Sequence, residues 1–155
     1  MKPNGYIRSI SISILILALA GALVLTLYRT EQKNILQPTV NFGGVPLQIE
    51  YATTTEARER GLSGRASVPS NYGMLFVFAR DDRYGFWMKD MVVPVDIFWL
   101  DAQKRVVSSA LEVATSTFPT VFYPKIPARY VLETAAGFGR AHSIATGTPL
   151  LLKNL

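Results

Sequence analysis

The stretch from Ser9 to Tyr28 contains no charged residue and consists mainly of Ile, Leu, Val and Ala. A helix that is apolar on every side has no place on a water-exposed surface, so this segment constrains how the whole chain is arranged. Its twenty residues, at 1.5 Å of helical rise each, span about 30 Å, the thickness of a bilayer's hydrocarbon core. Tyr6 and Tyr28 bracket the run, as aromatic side chains do at membrane interfaces. Lys2 and Arg8 lie before it and Arg29 and Lys33 after it, so basic residues specify the direction of insertion only weakly. The pattern predicts a basic flank over residues 1–8, one transmembrane helix over 9–28 whose partner is the lipid bilayer, and a linker over 29–38 closed by Pro38. A cleaved secretory signal competes with this reading, because Ala18-Leu19-Ala20 has the small-x-small form of a cleavage site. The apolar run continues through Leu27, which favours an uncleaved anchor. Either arrangement exports residues 39–155. The expected location is therefore a single-pass membrane protein with those residues on the extracytoplasmic, periplasmic side.

Residues 39–155 have the length of one domain. Apolar residues make up 49% of the chain and charged residues 17%, too apolar a balance for disorder. Of the formal charge of +5, residues 1–38 hold +3 and residues 39–155 only +2. The basicity belongs mostly to the flanks of the apolar run, so no nucleic-acid partner is expected. The absence of cysteine excludes disulfides, thiolate nucleophiles and iron–sulfur clusters. His142 is the single histidine, so no metal or other cofactor is expected.

Along the domain, Val45, Leu47, Ile49 and Tyr51 alternate with polar residues as in a half-buried strand, preceded by a short strand at 39–42 and a turn at Asn41–Gly44. Thr53 with Glu56 reads as a capping box for a helix over 54–60, ended by Gly61. Residues 73–78 form an apolar strand and 80–83 a charged turn. Further strands are predicted at 86–89, 94–100, 105–113, 130–134 and 149–153, with a proline-rich loop over 114–128 and a short helix over 136–143. Many short strands with little helix predict a mainly β fold, a compact antiparallel barrel or jelly-roll-like domain with one or two short helices.

Several of these residues fall into short motifs: Arg58-x-x-Gly61-Leu62-x-x-Arg65, Gly73–Phe78, Phe86-Trp87-Met88-Lys89, Pro94-x-Asp96-x-Phe98 and Tyr123-Pro124-x-x-Pro127-Ala128-x-Tyr130-Val131-Leu132-Glu133. In this order the chain resembles the DUF192 family, a bacterial and archaeal domain of unknown function. The resemblance covers about residues 45–155. It implies a compact β-barrel or jelly-roll-like fold, often behind a signal or membrane anchor, and no established activity. The chain departs from the family's usual pattern at Asp90-Met91 and at Thr148.

Asp96 stands in an apolar strand and Glu133 follows another, so each needs a cation or donors if it is buried. Arg65 and Lys89 are the cations in matching motifs. One expectation is that Arg65, Lys89, Asp96 and Glu133 converge beside Trp87 in a polar, ligand-binding pocket. The competing one is a set of structural ion pairs. No catalytic residue is assigned, and the reading leans away from an enzyme. The leading expectation is a membrane-anchored cell-envelope module that binds a small ligand or an envelope protein. The alternatives are an envelope hydrolase using Asp96 and Glu133 as paired acid and base, and a purely structural membrane protein.

Overall fold

The computed structural model describes Leu15, residues 17–26 and residues 38–152. The chain divides into two compact units, Met1–Gln37 and Pro38–Leu155. In the first, residues 17–26 are helical with exposed side chains. The expected basic flank, both ends of the expected transmembrane segment and nearly all of the linker lie outside the described residues. Among the described residues no helix is long and apolar enough to cross a membrane.

The second unit is mainly β. Its strands are β1 (Thr39–Phe42), β2 (Val45–Ala52), β3 (Tyr72–Asp82), β4 (Phe86–Trp87), β5 (Val95–Leu100), β6 (Val106–Val113), β7 (Val121–Phe122), β8 (Ala128–Ala135) and β9 (Leu150–Leu152). Two short helices, α1 (Thr55–Arg60) and α2 (Phe138–Ala141), and a 3-10 turn at Thr115–Thr117 complete it. Seven strands form one sheet in the order β6-β5-β8-β3-β2-β1-β9, and β4 pairs with β7 in a separate ribbon. The sheet curls into a half-barrel. At one corner its two edges meet, where Arg105 bridges Pro149 and Val106 donates to the Thr148 carbonyl.

The expected antiparallel arrangement needs one correction: β2 and β3 run parallel. Helix α1 and the loop after it carry the chain back between them, the crossover that a parallel pair requires. Other boundaries also move. The apolar strand at 73–78 continues through Asp82, so most of the expected charged turn is strand. Thr54, not Thr53, caps α1, its side chain accepting from the Ala57 amide at 3.1 Å. The loop over 114–128 contains β7, the expected strand at 86–89 pairs only over Phe86–Trp87, and the helix expected over 136–143 shortens to four residues.

Both faces of the sheet are covered. Phe42, Leu47, Ile49, Phe98 and Leu132 pack on the inner face with Phe138 of α2. Met74, Phe76, Ile97, Trp99 and Val131 pack on the other, beneath α1, its following loop and the β4–β7 ribbon. Double coverage explains why all six residues of β5 are buried and why all of them but Asp96 are apolar. The β1–β2 connection is a two-residue hairpin, with φ of +60° at Gly43 and +92° at Gly44, the backbone that this tight turn demands.

Candidate functional site

Alternation along β8 sends Leu132 to the inner core and Val131 and Glu133 to the outer one. Glu133 is thereby held within the outer apolar layer, where it is 5% exposed. Register extends the placement: Glu50 of β2, Met74 of β3, Glu133 of β8 and Ile97 of β5 form one row across the sheet. The Oε2 atom of Glu133 is buried and has no hydrogen-bond partner. Burial raises the pKa of this carboxyl to about 8, with the charge of Arg65 pulling the other way. At neutral pH Glu133 is therefore mostly a neutral acid, able both to donate and to accept.

Above it opens a cleft of about 350 Å³, at the small end of ligand sites, which run from about 300 Å³. Leu62, Phe76, Phe86 and Met91 give it apolar walls, Ser63 and Lys89 offer polar groups, and Glu133 contributes to the lining. The loop after α1 is tied over the site, since Ser63 Oγ donates to the Lys89 carbonyl at 3.0 Å and the Gly64 amide to the Asp90 carbonyl at 2.9 Å. Arg58 is a fixed wall. Its Nη1 donates to the Thr53 and Val77 carbonyls at 2.6 and 3.1 Å, and its guanidinium lies 5.3 Å from the Phe78 ring centroid. Trp87 stands half-exposed at the cleft, with Lys89 Nζ 5.8 Å from its ring centroid. A broader depression shares Arg58, Phe78 and Tyr84 with this cleft but does not include Glu133.

Of the five residues singled out in the sequence, Trp87, Lys89 and Glu133 line this one cleft. Arg65 does not. Its Nη2 donates to both oxygens of Glu50 at 2.9 Å and its Nη1 to the Tyr72 hydroxyl at 2.8 Å. Tyr72 in turn donates to Glu50 Oε2 at 2.7 Å, and burial, reinforced by that bond, pushes its phenol well above the ordinary range. Asp96 is elsewhere altogether. It shares the inner face with Phe98 and Leu100, and its carboxylate accepts three backbone N–H groups, from Glu112 at 2.6 Å, Gly137 at 3.2 Å and Gly139 at 2.7 Å. Adjacent in register but on opposite faces, Asp96 and Glu133 do not flank a common space. His142 packs against Phe138, ring centroids 4.6 Å apart. Sequence reasoning did not single out Glu50 and Tyr72 as Arg65's partners, because only strand register brings them together. Arg58 carried a signal in its motif, seven residues before Arg65.

The DUF192 family, described as an uncharacterized ACR, matches residues 38–152. The chain belongs to the DUF192 family. A UPF0127 protein of Thermococcus gammatolerans is 32% identical over 101 residues, a match covering 64% of this chain. The chain spans 62% of the length of that relative. Two solved structures share the fold. One, from Sinorhizobium meliloti 1021, belongs to a protein provisionally described as a transcription regulator, with TM-score 0.69, 23% identity and coverage of 74% of this DUF192 chain and 92% of its own. The other, a protein of unknown function from Novosphingobium aromaticivorans DSM 12444, has TM-score 0.66 and 26% identity over 72% of this chain and 82% of its own.

Proposed function

We propose that this DUF192 chain is a membrane-anchored cell-envelope module whose cleft above Glu133 binds a small molecule with an apolar body and one uncharged hydrogen-bonding end. One observation carries the reading: Glu133, whose buried Oε2 has no partner, lines an open cleft with apolar walls. An unsatisfied buried polar atom costs about 1–3 kcal/mol, and a ligand group that pairs with it recovers that energy. Burial favours the neutral form of Glu133, which can pair with an amide or hydroxyl end as donor and as acceptor. Support for the anchor comes from the uncharged run over residues 9–28.

The test uses the full chain in detergent micelles with benzamide, phenol and benzylamine as probes. Benzamide and phenol are expected to perturb the Glu133 carboxyl resonance and Trp87 emission together, with Glu133→Leu abolishing both changes. If no probe perturbs Glu133, and Glu133→Leu merely stabilises the domain, the carboxyl is an isolated buried acid and the binding reading fails.

A further inference from the structure

The β4–β7 ribbon has two apolar sides. Phe86 and Phe122 are paired in register and turn inward onto the outer core. Trp87 and Val121, the next pair, turn the other way, and so does Tyr123, whose ring lies so close to Gly85 that a Cβ there would sit 2.6 Å from it. Phe118 extends this outer side, its ring centroid 5.7 Å from that of Trp87. All four large side chains are exposed: Trp87 48%, Val121 37%, Tyr123 57% and Phe118 46%. A lone exposed aromatic is ordinary, whereas four large apolar groups on one face of a ribbon mark an interaction surface.

Two exposed lysines, Lys89 and Lys125, flank the patch, while Arg129 is paired with Asp81 at 2.6 Å. Between Glu112 and Glu133 the sequence has no acidic residue, while Lys125 and Arg129 are basic. Lys125 is exposed beside Tyr123, and Lys89 lies over Trp87. Arg83 Nε donates to the Pro124 carbonyl at 3.0 Å, tying the patch loop to the end of β3. Asp90 is the acidic residue next to Lys89 in sequence. Trp and Tyr with flanking Lys and Arg is the residue chemistry of a membrane–water interface, where amphipathic rings sit at headgroup level and cations meet anionic lipid. The same chain carries the apolar run over 9–28, and ten residues of linker reach at most about 36 Å from it.

We infer that the face formed by Trp87, Phe118, Val121 and Tyr123 docks onto the surface of an anionic lipid bilayer. This rests on the anchored reading above, since the tether supplies the high local lipid concentration that lets a small patch bind. Docking brings the Glu133 cleft, which shares Trp87, to the headgroup level, where an apolar ligand with a polar end partitions.

The experiment reconstitutes the full chain in mixed phosphatidylcholine–phosphatidylglycerol vesicles containing shallow doxyl-labelled lipid. The chain has two tryptophans, and Trp99 is buried, so Trp87→Phe supplies the background. Doxyl quenching at least twofold above that background, lost on Lys89→Glu with Lys125→Glu or when phosphatidylglycerol is omitted, is the expected result. Vesicle-bound chain whose Trp87 escapes doxyl lipid and remains open to aqueous iodide overturns the docking but keeps the anchor. Chain that washes off the vesicles in carbonate overturns the anchor and the docking together.

Discussion

Asp96 and Glu133 sit on neighbouring strands, one row apart, and both are buried, yet their surroundings differ in kind. Asp96 faces the inner core, where the β5–β6 register shift between Val95 and Ile97 and the turn into α2 leave three backbone N–H groups that need an acceptor. Those donors offset the cost of burying its charge. Glu133 faces the outer layer, has an oxygen without a partner, and opens onto a cleft. The contrast teaches that a buried carboxylate says little until its donors are counted. The satisfied one holds the fold, and the unsatisfied one is the functional candidate.

The sharpest break of this comparison is Asp96→Ala. It leaves one buried and two partly buried amides without an acceptor, at about 1–3 kcal/mol for a buried one, so a loss of about 3 kcal/mol is expected in urea unfolding. Asp96→Asn, which keeps one acceptor, is expected to lose less. Glu133→Gln is expected to behave oppositely. It preserves shape and removes a group that resists ionisation, so stability at pH 9 should rise above that of the native chain. A destabilisation matching that of Asp96→Asn would erase the distinction.

Stability should also depend on pH through Glu133. The Glu133 pKa is raised from 4.5 unfolded to about 8 folded, so the native state holds one more proton than the unfolded state between those values. Stability from this group is complete below pH 4.5 and falls as pH rises toward 8, by at most about 1.4 kcal/mol per pH unit. Thermal melts across this window should show a downward slope that Glu133→Gln flattens. A slope unchanged in the variant would assign the effect elsewhere.

A smaller effect is expected at Arg65. Arg65→Gln removes a positive charge that favours ionised Glu133 and takes the guanidinium away from Glu50, so the Glu133 pKa should move further up in a carboxyl NMR titration. Since the Arg65–Glu50 pair is partly exposed, the stability loss itself should stay near about 1 kcal/mol. Lys89→Ala should change stability least, by no more than about 0.5 kcal/mol, because the side chain is exposed. An ion-pair role for Lys89 would show as a larger loss.

The amino-acid sequence by itself determined most of the long strands but not β7, because alternation in β2 and the apolar stretch of β5 around Asp96 are local consequences of one or two covered faces. It also marked Trp87, Lys89 and Glu133 as residues needing an explanation, and the motifs that carry them are enough to recognise the family. Tertiary structure alone decided which of the flagged residues meet. Arg65 finds Glu50 fifteen positions back, and Asp96 finds amides from Glu112 to Gly139, because register and the parallel β2–β3 pair set those distances. Pairing energy is similar for many registers in an isolated strand, so only burial of both faces at once selects one of them. The direction in which Glu133 and Asp96 point followed from that selection, and with it the difference between a staple and a candidate site.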